Sequence, residues 1–118
     1  MARVLCTGVD PTLLKTRRMM LEAAGHKVTS ALGIPAAEAA CKKHKFHVAV
    51  LGQAMSREEK RTLADIVRRH CPGARLLELY DAVGSRILPD ADDWLPVPTD
   101  VPQELPERVS ALAARPPS

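Results

Sequence analysis

Apolar residues along the chain alternate between short continuous runs and longer stretches with helical spacing. The short runs predict buried strands at 3–7, 27–31, 47–52 and 75–79. The stretches between them carry apolar residues three or four positions apart, which predicts amphipathic helices. Strands that are apolar on both faces and separated by helices favour a parallel sheet covered on both sides. The pattern therefore predicts a three-layer, doubly wound α/β fold.

Capping residues mark the first two predicted helices. Asp10 can cap the first helix, with Pro11 at its first position, and Gly25 can end it. A second helix fits residues 35 to about 44.

The third helix has the clearest start, because Ser56 and Glu59 have the spacing of a capping box. A last helix is predicted over about 102–114 by apolar residues at helical spacing, which are Leu105, Val109, Leu112 and Ala113.

The alternation of strands and helices breaks after the fourth strand. Only ten residues, 81–90, separate Tyr80 from the next apolar stretch, and Gly84 and Pro89 lie among them. These residues disfavour a helix, so at most about one or two helical turns are expected around 85–88. The helix between the fourth and fifth strands is therefore predicted to be truncated.

Length and composition are typical of one small globular domain. The chain has 118 residues, of which 46% are hydrophobic and 26% charged. It lacks a run of about 18 apolar residues and a cationic-then-apolar leader. We expect a cytoplasmic protein without a membrane segment, with one domain over 1–114 and a short tail over 115–118.

The metal-binding residue types do not form a convincing site. Cys6, Cys41 and Cys71 have no close pair, so neither a disulfide framework nor a metal-ligand spacing is indicated. We expect buried, reduced thiols. His44 and His47 have a His-x-x-His spacing, but His47 is at the entry of a predicted strand, which favours a solvated loop. No metal and no cofactor is expected.

The formal net charge of +3 raises nucleic acid or acidic proteins as partners. The basic runs at 17–18, 42–45 and 68–70 lie on three different predicted helices, with acidic residues between them. An aromatic content of 3% leaves few residues for stacking on bases. We interpret the runs as solvated surface and do not expect a nucleic-acid partner, while an acidic protein stays an alternative.

Enzymatic motifs are also missing from the sequence. Gly8 is not followed by a Gly-x-x-Gly pattern, so a dinucleotide fingerprint and a phosphate loop are not indicated. No Ser, His and acid spacing stands out as a catalytic triad. We do not expect an enzyme.

Four stretches of the chain resemble the receiver domain of two-component response regulators. Residues 3–11, 25–31 and 46–52 resemble its first three strands, with the start of the first helix. Within 90–100, Ala-Asp-Asp-Trp-Leu-Pro-Val-Pro resembles the family's Ala-Asp-Asp-Tyr-Leu-x-Lys-Pro. The four stretches have the family's order and spacing. The resemblance implies a flavodoxin-like, five-stranded parallel sheet.

In a working receiver, two acidic residues, an acceptor aspartate, a hydroxyl residue and a lysine stand at the strand ends, and the carboxylates bind magnesium. The matching positions of this chain hold Gly8, Val9, Gly52, Tyr80 and Val97. None of them carries the family's group. Asp10 remains nearby, but we interpret it as a helix cap, and one carboxylate is not a magnesium ligand set. The family's phosphoryl transfer is therefore not expected.

Glu78 lies inside the predicted fourth strand, where an unpaired buried carboxylate is costly. If the following helix is truncated, part of that sheet face is open. The candidates for partner contact there are Glu78, Tyr80, Ile87 and Trp94. The alternative is that Arg75 or Arg86 neutralises Glu78, which then has no function. The sequence leaves both interpretations open.

Trp94 is at the position of an aromatic residue that, in the resembled family, changes rotamer on activation. The family's lysine and hydroxyl positions hold Val97 and Tyr80, so this switch has no trigger. We expect Trp94 to be held in one rotamer by packing against Tyr80 or residues 83–88.

The chain resembles a receiver domain but lacks the residues for phosphoryl transfer. This combination predicts a pseudo-receiver that contacts another signalling protein, or a second copy of itself, independently of phosphorylation. One alternative is a small-molecule sensor, because Gly8 and Gly52 clear the pocket rim and Val9 and Val97 make it suit an uncharged ligand. Another alternative is a fragment of a larger regulator with an output domain.

Overall fold

The structure, a computed structural model, describes residues 2–115, so residues 116–118 of the predicted tail lie outside the described part. It has five strands, β1 (Arg3–Gly8), β2 (Lys27–Leu32), β3 (Val48–Leu51), β4 (Arg75–Asp81) and β5 (Asp93–Val97). Its described helices are α1 (Pro11–Ala23), α2 (Ile34–Lys43), α3 (Arg57–His70) and α4 (Glu104–Ala114).

All five strands are parallel and form one sheet in the order β2-β1-β3-β4-β5. Two separate hydrophobic clusters cover its faces. Cys6 and Val50 face α1 and α4, whereas Leu5 and Leu51 face α2 and α3. The predicted three-layer, doubly wound fold is confirmed. None of the helices described for residues 2–115 is long and apolar enough to cross a membrane.

The predicted helix boundaries are confirmed where a cap was visible in the sequence. The Asp10 carboxylate accepts hydrogen bonds from the first-turn amides of α1, and Gly25 follows the helix with a φ of 93° that favours glycine. Ser56 and Glu59 form the capping box of α3, with bonds of 2.9 and 3.1 Å. Local signals were sufficient for these ends.

The segment between β4 and β5 forms no helix, which is within the expected limit of one or two turns around 85–88, so the truncation is complete. A buried carboxylate organises the segment instead. The Glu78 oxygens accept hydrogen bonds from the backbone N–H groups of Ile87, at 2.9 and 3.1 Å, and Leu88, at 2.8 Å. Leu88 is buried against the face where a helix was expected.

Glu78 is not part of an open surface, and that prediction is wrong. Its side chain is 0% exposed because residues 87 and 88 close over it. The neutralising residue is also not Arg75 or Arg86. The Lys60 ammonium lies 2.8 Å from Glu78 Oε2 and also donates to the carbonyl of Leu79.

We predict that Lys60→Met lowers the free energy of unfolding by about 3–5 kcal/mol, because it leaves the Glu78 carboxylate buried without its cation. Chemical denaturation measures the change. Lys15→Met is the matched control, since Lys15 is exposed on α1, and it should change stability by less than about 0.5 kcal/mol. Equal stability of both variants would show that the buried pair does not form.

Candidate functional site

The carboxyl ends of β1 and β3 lie side by side, where the strand order reverses direction. In open α/β sheets this crevice is the usual position of a ligand site. Gly8 ends β1, and Gly52 follows β3 directly. These two glycines and Val9 line a cleft that is too narrow to admit a water-sized sphere. The three residues that match the family's acidic pair and acceptor therefore do come together.

An arginine occupies the space beside the two glycines. Arg17 lies on the buried side of α1 with Leu14 and Leu21 and is only 8% exposed. A Cβ atom at position 52 would lie 3.4 Å from Arg17 Nη1. The guanidinium also donates a hydrogen bond from Nη2 to Oε1 of Gln53. A cation thus lies beside position 52, which matches the acceptor aspartate in the resemblance.

The guanidinium lacks an acidic partner among residues 2–115. Asp10 is nearby, but its carboxylate caps α1 through the amides of Thr12 and Leu13. Burial lowers the pKa of Arg17, and its electrostatic interactions with Cys6 and Asp10 act in the opposite direction. Arginine keeps its proton in proteins despite such shifts. The site therefore carries one largely desolvated positive charge.

Cys6 supplies no countercharge to this site at neutral pH. Burial raises the pKa of its thiol to about 11, although Arg17 acts to lower it. Cys41 and Cys71 are buried as well, on the other sheet face, and burial is the largest cause that raises the pKa of Cys41 to about 12. The three thiols are free and buried, as predicted.

A larger cavity of about 260 Å³ adjoins the cleft, between α1 and the segment that leads into α4. Val97 lines this cavity with Leu79 and Leu95 of the sheet. Arg17 and Gln53 line both the cavity and the cleft. The apolar pocket that the sequence suggested is thus displaced toward β5, and its border with the cleft is cationic.

Tyr80 does not join the other matching positions. It is two residues from Glu78 along β4, so both side chains point to the α3 face of the sheet. Val97 lies at the end of β5, where it pairs with Asp81. Within the described part of the chain, no group of three or more His, Cys, Asp or Glu side chains is placed to hold a metal ion.

A second candidate surface surrounds Trp94, which is half-buried. Its indole N–H donates to the carbonyl of Leu88 at 2.9 Å. The Arg86 guanidinium lies 4.7 Å from the Trp94 ring and 5.9 Å from the Tyr80 ring. The expected contact between Trp94 and residues 83–88 is confirmed. A single rotamer remains a prediction.

Tyr80 and Ile87 are also half-buried, and Arg86 is exposed. We call the surface formed by Tyr80, Arg86, Ile87 and Trp94 the Trp94 surface. Of the four residues proposed for partner contact, Glu78 lies beneath this surface rather than on it.

Sequence reasoning missed the two buried cations. From the sequence, Arg17 is interpreted with Arg18 as solvated surface, and Lys60 is not singled out. Both occupy apolar stripes, however: Arg17 is between Leu14 and Leu21, and Lys60 is three residues before Leu63. A basic residue at such a position was the available signal.

Solved structures with the same fold match this chain at low sequence identity. No protein-family model and no curated protein sequence matches the chain. The receiver domain of Francisella response regulator 1452 is 20% identical over 96% of this chain and 97% of that chain, with a TM-score of 0.80. A CheY-like receiver domain protein from Methanospirillum hungatei is 20% identical over 96% and 94%, with a TM-score of 0.81.

Response regulator protein TrrA from Thermotoga maritima, solved in complex with Mg²⁺-BeF, is 20% identical over 95% of this chain and 99% of that chain, with a TM-score of 0.78. At these identities the likeness establishes the fold. This chain has the CheY-like, flavodoxin-like fold of response-regulator receiver domains.

We predict that Gly52→Ala lowers the free energy of unfolding by about 1–3 kcal/mol through overpacking. A Cβ there would lie 3.0 Å from the carbonyl oxygen of Thr7 and 3.3 Å from Gly8 Cα, and backbone atoms yield little. The matched control is Gly73→Ala, because nothing lies within 4 Å of a Cβ at that position. Thermal or urea unfolding compares the two; an equal effect would mean that position 52 has more room.

Proposed function

We propose that this chain is a degenerate receiver domain that acts in signal transduction by phosphorylation-independent contact with another protein. The observation that carries the proposal is the position of Arg17. Its guanidinium lies beside Gly52, where an acyl phosphate would need a carboxylate. The fold of the receiver domains and the missing groups at the five matching positions support the same reading.

The chemistry of the cleft argues against a phosphorylation cycle. Magnesium needs several oxygen ligands, and Asp10 already uses its carboxylate as a helix cap. A buried guanidinium at the same place repels a divalent cation, since charges interact strongly where water is excluded. Val97 cannot replace the positive charge of a lysine at the end of β5. The proposed domain is therefore fixed in one signalling state.

The Trp94 surface is the proposed contact site for the partner. It carries two aromatic rings and an exposed arginine, which are residue types enriched in protein interfaces. The Lys60–Glu78 pair holds residues 87 and 88 in place beneath this surface, and it does so without any bound ligand. We propose a signalling protein or a second copy of this chain as the partner, in the cytoplasm, with no enzymatic activity of the domain itself.

Incubation with acetyl phosphate and magnesium should leave the intact mass unchanged, because position 52 has no acceptor carboxylate. Mass spectrometry before and after hydroxylamine treatment measures this. Gly52→Asp should stay unmodified as well, since its carboxylate would face the Arg17 guanidinium rather than a magnesium ion. A hydroxylamine-labile phosphate adduct on the wild-type chain would contradict the proposal.

Trp94 fluorescence should not respond to beryllofluoride with magnesium. The proposed domain has no site that binds this anion, so nothing would change the environment of the indole ring. As a positive control, Arg86→Met should shift the emission, since it removes the charge 4.7 Å from the indole ring. Arg69→Met, an exposed arginine on α3, should not shift it. A beryllofluoride response equal to that of Arg86→Met would show a working anion switch.

A further inference from the structure

The cavity of about 260 Å³ beside the cleft has no part in the proposed protein contact. Leu79 and Leu95 form its floor on the sheet, and Leu13 and Leu105 contribute walls from α1 and α4. Its volume is slightly below the ~300 Å³ at the lower end of small-ligand pockets. The cavity is thus suited to a compact molecule with an apolar body.

Two polar side chains lie where this apolar cavity borders the cleft. Arg17, which is only 8% exposed, lines the cavity together with Gln53. Of the five N–H donors of the guanidinium, one is used on the Gln53 oxygen, and no carboxylate of residues 2–115 forms an ion pair with it. The Gln53 amide has two donors of its own. A desolvated charge of this kind is costly unless an anion neutralises it.

We propose that the cavity binds a small organic carboxylate, with its anionic group on Arg17 and Gln53 and its apolar body against Leu79, Leu95 and Val97. The planar guanidinium matches a carboxylate with two parallel hydrogen bonds. An apolar environment with a single cation suits a monoanion with a hydrophobic body better than a strongly hydrated dianion. This assignment replaces the uncharged ligand expected from Val9 and Val97 alone.

The assignment does not depend on the proposed signalling role, since the cavity and the Trp94 surface lie on opposite faces of the sheet. Binding of a carboxylate and binding of a protein partner can therefore fail separately. A ligand here would also contact α1, the segment 97–102 and α4 at once.

The test measures binding of benzoate and hexanoate to the full chain by ligand-observed NMR and calorimetry. Benzamide and hexanamide are the neutral counterparts of the same shape. At least one carboxylate should bind about tenfold or more tightly than its amide, because only the anion forms charge-assisted hydrogen bonds. Absence of binding by both carboxylates, or amides that bind equally well, would overturn the proposal. Tighter binding of inorganic phosphate than of either carboxylate would also overturn it.

Arg17→Met should remove the preference for the carboxylate over the amide while the apolar cavity remains. Arg18→Met is the matched control, because Arg18 is exposed on the same helix and pairs with Glu22. It should bind like the wild type. Unchanged carboxylate affinity in a folded Arg17→Met, checked by circular dichroism, would contradict the assignment.

Thr16→Trp is a second variant that leaves the charge in place and tests the cavity itself. Thr16 is exposed at the cavity wall, so a large side chain there should block the ligand without disturbing the core. Carboxylate binding should fall about tenfold or more, as expected when a compact ligand loses its apolar contacts. Binding at wild-type strength would place the ligand elsewhere and overturn the proposal.

Discussion

The buried ion pair between Lys60 and Glu78 is the interaction on which the segment between β4 and β5, and the Trp94 surface beside it, depend. Lys60 reaches the sheet from α3, and Glu78 reaches outward to the amides of residues 87 and 88. A chain segment without a helix can therefore cover the end of the α3 face. Trp94 then packs against Arg86 and Leu88 of that segment, so the surface proposed for partner binding depends on a charge pair inside the protein.

Arg17 is the buried charge at the carboxyl end of the sheet. Its guanidinium lies next to Gly52, at the narrow cleft where β1 and β3 end, and the strand order makes this the usual ligand site of the fold. The cation at this point is largely buried and borders an apolar cavity.

Much of the fold could be predicted because its signals are local. Helix starts are indicated by capping residues that bond to residues two to three positions away, which are Asp10, Ser56 and Glu59. Continuous apolar runs indicate buried strands. The motif resemblance also placed Gly8 and Gly52 together correctly. These features need no knowledge of distant contacts.

The missed features depend on residues far apart in sequence. Arg17 meets Gln53 across 36 positions, and Lys60 meets Glu78 across 18. A charged residue on an apolar stripe shows that a partner is needed, but the identity of that partner follows from the packed structure. For the same reason the sequence leaves Glu78 either on an open face or paired with an arginine. That residues 87 and 88 close over it follows only from the packed structure.

The central claim is that a guanidinium has replaced the metal and phosphoryl site at the carboxyl ends of β1 and β3. Titration of the isotope-labelled protein with Mn²⁺, a paramagnetic substitute for Mg²⁺, tests it most directly by NMR. The amide signals of Gly8 and Gly52 should broaden no more than those of exposed residues elsewhere. Selective broadening of these two signals at low Mn²⁺ concentration would show that a metal site survives there and would contradict the account.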